Sequence, residues 1–209
     1  MRIFKGDPVA VPADWVPGPK PGEWTYEDYV AIPPEDDHRY DIVEGMTYLV
    51  PSSDSDPVHR RAVEGFFSHL HRFVESAKLG KVYQRPFDVV LNYRTVVQPD
   101  VFVLLNEHLD RITDSHIIGA PDLVIEITAP NTATYDVWQK WDAYIHAGVP
   151  EYWLVTPEEL TIELLILEEN DYRSLGLFID SAKLPSQILP HLPVSVAQLC
   201  TGIEAIKNS

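Results

Sequence analysis

Three positions in this chain carry residue types that phosphate chemistry needs. They are Asp100 directly after Pro99, Glu126 inside an aliphatic run, and Lys140 in a segment of helical periodicity. Two carboxylates that share a divalent ion, with an ammonium in reach, are the minimum equipment for metal-assisted hydrolysis of a phosphodiester. Magnesium or manganese held by such oxygens at about 2.0–2.1 Å acidifies a bound water and neutralises charge building on phosphate oxygens. A neighbouring lysine then orients the water or steadies the transition state as a point charge. Taken singly, each residue is ordinary. Pro-Asp is a common turn dipeptide, and Pro121-Asp122 repeats it in this same chain. A glutamate among aliphatics also serves as half of a buried salt bridge, and a helical lysine commonly faces solvent.

The elements around these residues decide whether they meet. In an extended strand alternate side chains share a face, so Asp122, Val124, Glu126 and Thr128 point one way while Leu123, Ile125 and Ile127 point the other. Pro99 cannot donate a ladder hydrogen bond and marks a strand start or edge, where Asp100 can reach solvent. Asp136, Val137, Lys140 and Tyr144 lie on one helical stripe beside Trp141, which lets Lys140 reach back over a sheet.

Elsewhere, the periodicity predicts a hairpin over 40–50 turning at Gly45, and a long helix from Asp56-Pro57 that ends before Gly80. Further strands are predicted over 81–83, 87–91, 96–105 and 123–128. A second helix over 134–147 closes at Gly148, and strands over 151–156, 161–167 and 172–179 follow. Strands, helix, strands, helix, strands imply an α+β or α/β core, a mixed sheet with helices against its faces. The first two dozen residues, with five prolines and three glycines, predict an extended arm over 1–37 ahead of one domain over 38–209.

Composition narrows the function. A chain of 209 residues with 45% hydrophobic content and five Trp supports a full core. No apolar run approaches the roughly 18 residues that span a bilayer, and the first residues lack a signal-peptide core, so a cytoplasmic protein is expected. The lone Cys200 excludes an intrachain disulfide and a cysteine-clustered zinc site. His69 and His71, two apart on a helix, make a poor metal pair, and no HExxH spacing, phosphate-binding glycine loop or GxSxG elbow is present. A net charge of −16 disfavours non-specific binding to polyanions. The charge is uneven, however: residues 59–94 hold seven Lys/Arg against three acids, a local +4 on a body that otherwise carries −20.

Several runs in order resemble the Uma family of restriction-endonuclease-like proteins, abundant in cyanobacteria. These are Tyr40-Asp-Ile-Val-Glu-Gly45, Asp56-Pro57-Val58-His59, Val97-Gln98-Pro99-Asp100, Ala120-Pro121-Asp122 through Glu126 to Pro130, Asp136 with Lys140, Gly148-Val-Pro-Glu-Tyr-Trp-Leu154 and Leu189 to Leu199. The resemblance covers residues 38 to 200. It implies the PD-(D/E)xK nuclease fold, a mixed central β-sheet flanked by helices in a single domain, with a divalent metal at the carboxylates. It also implies that Asp100 and Glu126 are metal ligands and that Lys140 replaces the strand lysine, whose position here is Thr128. Met46 stands where the family commonly has an acid, so Glu44 or Asp41 is the expected accessory carboxylate. His59 falls where the family often has a helix-start histidine. The leading expectation is therefore a magnesium- or manganese-dependent endonuclease acting on DNA, as a homodimer by analogy. The alternative is a non-catalytic binding module on the same scaffold, favoured by the acidic charge, Met46 and Thr128. A metal-dependent hydrolase of other phosphate esters is a third reading.

Overall fold

The computed structural model describes residues 11–33, 38–51, 56–128 and 139–207. It opens with strand β1 (Val11–Pro12) and helix α1 (Tyr26–Val30), whose N-terminus is closed by a capping box between Thr25 and Asp28. Strands β2 (His38–Val43) and β3 (Met46–Pro51) form the expected hairpin. Its turn needs Gly45, which has φ 75° and lies so close to the N-terminal segment that a Cβ there would collide with the Gly22 carbonyl. Helix α2 (Pro57–Ser76) follows, with Asp56 accepting the Val58 amide at 2.9 Å and Pro57 at a first-turn position.

Next come β4 (Gly80–Gln84), β5 (Asp88–Asn92), β6 (Thr95–Val97) and β7 (Val101–Leu105), then a 3-10 turn (Asn106–Arg111), β8 (His116–Ile118) and β9 (Leu123–Ile127). Helix α3 (Trp141–Ala147) leads to β10 (Glu151–Thr156), β11 (Thr161–Glu168) and β12 (Asp171–Phe178), and two short helices end the chain, α4 (Val196–Leu199) and α5 (Ile203–Lys207). Of the predicted helix over 134–147, residues 134–138 lie outside the described residues.

The strands form two mixed six-stranded sheets, ordered β1-β3-β2-β6-β5-β8 and β12-β11-β10-β9-β7-β4. The apolar run over 96–105, expected as one strand, is therefore two strands in two sheets. The chain passes from one sheet to the other through Gln98, Pro99 and Asp100, where the proline has no amide to continue a ladder.

Layering follows from alternation. On the second sheet, Val101, Val103, Leu123, Ile125 and Ile127 pack against Val58, Ala62, Phe66, Leu70 and Val74 of α2 and against the C-terminal helices. Phe102, Leu104 and Val124 face the other way, onto Val43, Val89 and Val97 of the first sheet and onto Ala143 and Tyr144 of α3. The outer face of the first sheet carries Ile42, Val90 and Val96, covered by Trp24 with Tyr26, Tyr29 and Ile32 beside it. Residues 11–33 thus lie along that sheet, with β1 paired to β3. Among the described residues, no helix is long and apolar enough to cross a membrane.

Candidate metal and phosphate site

Three acids interrupt the apolar layer between the sheets at one end. Asp41 stands two residues from Val43, Asp100 two from Phe102 and Glu126 two from Val124, all members of that layer. Strands β7 and β9 are antiparallel with Val101 paired to Ile125, so the same register, carried one residue further, sets Asp100 beside Glu126. All three acids are buried, Asp41 at 0%, Asp100 at 3% and Glu126 at 1% exposure, and so is Lys140 at 0%. Carboxylates at such depth are tolerated only when paired and hydrogen-bonded.

The pairing is extensive. Lys140, at the N-terminal edge of α3, donates from Nζ to Glu126 Oε1 at 2.9 Å and lies 3.8 Å from Asp41 Oδ2. Tyr144, one helical turn on, donates its hydroxyl to the same Glu126 oxygen at 2.6 Å. Asp100 Oδ2 accepts the Ile127 amide at 2.8 Å and lies 3.2 Å from His59 Nε2, while Arg85 Nε lies 3.3 Å from Oδ1. Since an ionised carboxylate only accepts, His59 is the donor in that contact. The segment that carries Asp100 is itself anchored: Gln98 donates to Asp88 at 2.7 Å, and so does the Tyr29 hydroxyl at 2.9 Å.

Electrostatics follow from this arrangement. Burial alone would raise the Asp100 pKa, but His59, Arg85 and Lys140 together outweigh it and hold the carboxyl well below its ordinary range. Burial and the Glu126 charge push the Tyr144 hydroxyl well above its ordinary value, so it remains a donor.

The expected site residues thus fall into two groups. Asp100, Glu126, Lys140, Asp41 and His59 share one network. Glu44 sits instead at the exposed hairpin turn, in the left-handed conformation, with its carboxylate 3.5 Å from Arg94. The empty lysine position is occupied structurally, because the Thr128 hydroxyl donates to the Val155 carbonyl at 3.1 Å. His69 lies 2.8 Å from the Gly65 carbonyl through Nδ1, and His71 pairs with Glu75 at 3.6 Å. The basic stretch 59–94 is largely engaged by acids: Arg61 with Glu64, Lys81 with Glu75, Arg85 with Asp100 and Arg94 with Glu44.

Two participants carried no clear sequence signal. Arg85 registered only as one basic residue among seven. Tyr144 shared the helical stripe of Lys140, a spacing that could have marked it. A second cluster also went unread: Glu107, His108 and Asp122 bring one ligand atom each to within 4.8 Å of one another at the far end of β7 and β9.

A family model, Uma2, described as "Putative restriction endonuclease", matches residues 26–197. This chain belongs to the Uma2 family. Its fold is similar to a crystal structure described as "a putative nuclease belonging to DUF820" from Anabaena variabilis. The TM-score is 0.71 at 18% identity, covering 86% of this chain and 99% of that one. Among curated proteins, none matches. The Uma2 match spans the hairpin, the Pro99-Asp100 crossing, Glu126 and Lys140, so the whole buried network lies inside the family's extent.

Proposed function

We propose that this Uma2 protein is a divalent-metal-dependent endonuclease on DNA, with Asp100 and Glu126 as the metal ligands and Lys140 as the catalytic cation. The observation that carries the reading is the single network of three buried carboxylates with the Lys140 ammonium between two of them. The donor chemistry fits magnesium or manganese, because the candidate ligands are hard carboxylate oxygens. When bound, the ion supplies positive charge and Lewis acidity at the scissile phosphate.

The chain's own residues do the rest. Asp100 stays ionised through neutral pH, held by the Ile127 amide and by His59. Lys140, fixed between Glu126 and Asp41, presents an ammonium that orients the attacking water or accepts charge developing on phosphate oxygens. Asp41 and His59 act as accessories by setting the positions of Lys140 and Asp100. A homodimer would deliver two such sites to two strands.

Purified protein with manganese is expected to nick supercoiled plasmid, and Asp100→Ala to reduce the rate by at least about 100-fold, the scale of a lost electrostatic group. An unchanged rate in that variant sinks the assignment. The net charge of −16 favours a second reading, a binding module without turnover. That reading is preferred if manganese binds saturably while no phosphodiester is cut.

A further inference from the structure

We infer that Tyr144 is a positioning residue for the metal-ligating carboxylate of Glu126, acting with Lys140 to do from a helix what a strand lysine would otherwise do. The inference rests on the metal-site reading above. Its basis is the convergence of two donors on one oxygen: Tyr144 Oη at 2.6 Å and Lys140 Nζ at 2.9 Å from Glu126 Oε1. The two residues are four apart, so they project from the same side of α3 as neighbours. Together they anchor Oε1 and stop rotation about the last bond of the glutamate side chain. A single lysine on a flexible stem would leave that rotation open.

Packing alone does not call for a tyrosine here. Its ring lies in the layer between the sheets, 5.5 Å from the Tyr152 ring and beside Ala143 and Val149, and a phenylalanine would fill that space equally well. A hydroxyl at 0% exposure costs free energy unless it is bonded, and the partner this one has is a carboxylate of the site. Nor does the strand take over the task. Thr128, two residues beyond Glu126 and just past the end of β9, directs its hydroxyl to the Val155 carbonyl. Groups that orient metal ligands in this way typically change metal affinity 10- to 100-fold when removed.

Tyr172 provides an internal control. It belongs to the same aromatic group, its ring 5.7 Å from Tyr152, and its hydroxyl donates to the Val149 carbonyl at 2.8 Å, a buried bond with no acid of the site. The test is calorimetric titration of manganese into the metal-free full chain, together with thermal melting, for wild type, Tyr144→Phe and Tyr172→Phe. Both variants are expected to melt lower than wild type, while only Tyr144→Phe weakens manganese binding, by about tenfold or more. Tyr144→Met, which also lacks the donor but adapts its shape, replaces Tyr144→Phe if that protein folds poorly. Manganese affinity within twofold of wild type in a folded Tyr144 variant overturns the inference, as does equal weakening by Tyr172→Phe. Absence of saturable binding in the wild-type arm overturns the metal site itself, and this inference with it.

Discussion

The two Pro-Asp dipeptides of this chain are built into the same pair of antiparallel strands and do the same backbone task at opposite ends. Asp100 follows Pro99 at the start of β7 and accepts the amide of Ile127, the last residue of β9, at 2.8 Å. Asp122 follows Pro121 at the start of β9 and accepts the amide of Leu105, the last residue of β7, at 2.7 Å. Each also meets a histidine, His59 at 3.2 Å and His108 at 2.7 Å. In each case the carboxylate of the residue after the proline is the acceptor for the amide that ends the facing strand. Closing a strand end is thus a sufficient structural reason for either aspartate.

What separates the two ends is everything that converges on them. At Asp100, His59 is buried and the Arg85 side chain is only 8% exposed, and the buried Glu126, Asp41 and Lys140 join the network. At Asp122, His108 is about one-third exposed and Glu107 lies at the surface. A buried, multiply paired group of charges is where electrostatic interactions are strongest, and a partly exposed trio is not. The dipeptide is the common device, and burial of further charge around one copy marks the candidate site.

The largest expected effect comes from removing the cation at the centre of the enclosed group. Lys140→Ala leaves Glu126 and Asp41 buried without their ammonium and is expected to cost about 3–5 kcal/mol, read by urea unfolding. A loss below about 1 kcal/mol would place that lysine in a far more solvated setting than its burial implies.

Next comes the matched pair Asp100→Asn and Asp122→Asn. Each keeps an oxygen for the facing amide, but only the first removes a charge from a buried arginine and histidine. The expected costs are about 2–3 kcal/mol and about 1 kcal/mol respectively. Acid separates them further. Because the folded Asp100 pKa lies below its ordinary value of 3.8, its stabilisation is complete above that pH and is lost as the pH falls below it. Asp100→Asn and wild type should therefore converge in stability below about pH 4. A penalty that stays constant through that range would break the contrast.

The smallest effect is expected for His108→Ala, within about 1 kcal/mol by the same unfolding measurement, because its partly exposed contact is screened by solvent.

Much of this contrast was legible in the residues. Period-two alternation put Glu126 and Thr128 on one face of β9, and helical spacing put Lys140 beside Tyr144, because both patterns are local geometry. The hairpin at Gly45 and the α2 helix were readable for the same reason. The division of 96–105 between two sheets was not, since valines on both sides of Pro99 read as one apolar run and sheet membership is settled by distant partners. β8, three residues long, is too short to show alternation. The roles of Arg85 and of Glu107 with His108 were not legible because their partners are 14 or 15 residues away along the chain, and spacing carries no information at that range. The resemblance to known family runs supplied the rest, linking Asp100 to Glu126 before any register was available.

The most direct measurement is manganese titration of wild type, Glu126→Gln and Glu107→Gln by calorimetry. A single saturable site that vanishes in Glu126→Gln and persists unchanged in Glu107→Gln is the result expected if metal binds at the enclosed end of β7 and β9. Binding that survives Glu126→Gln but disappears in Glu107→Gln would contradict it and move the metal to the other Pro-Asp dipeptide.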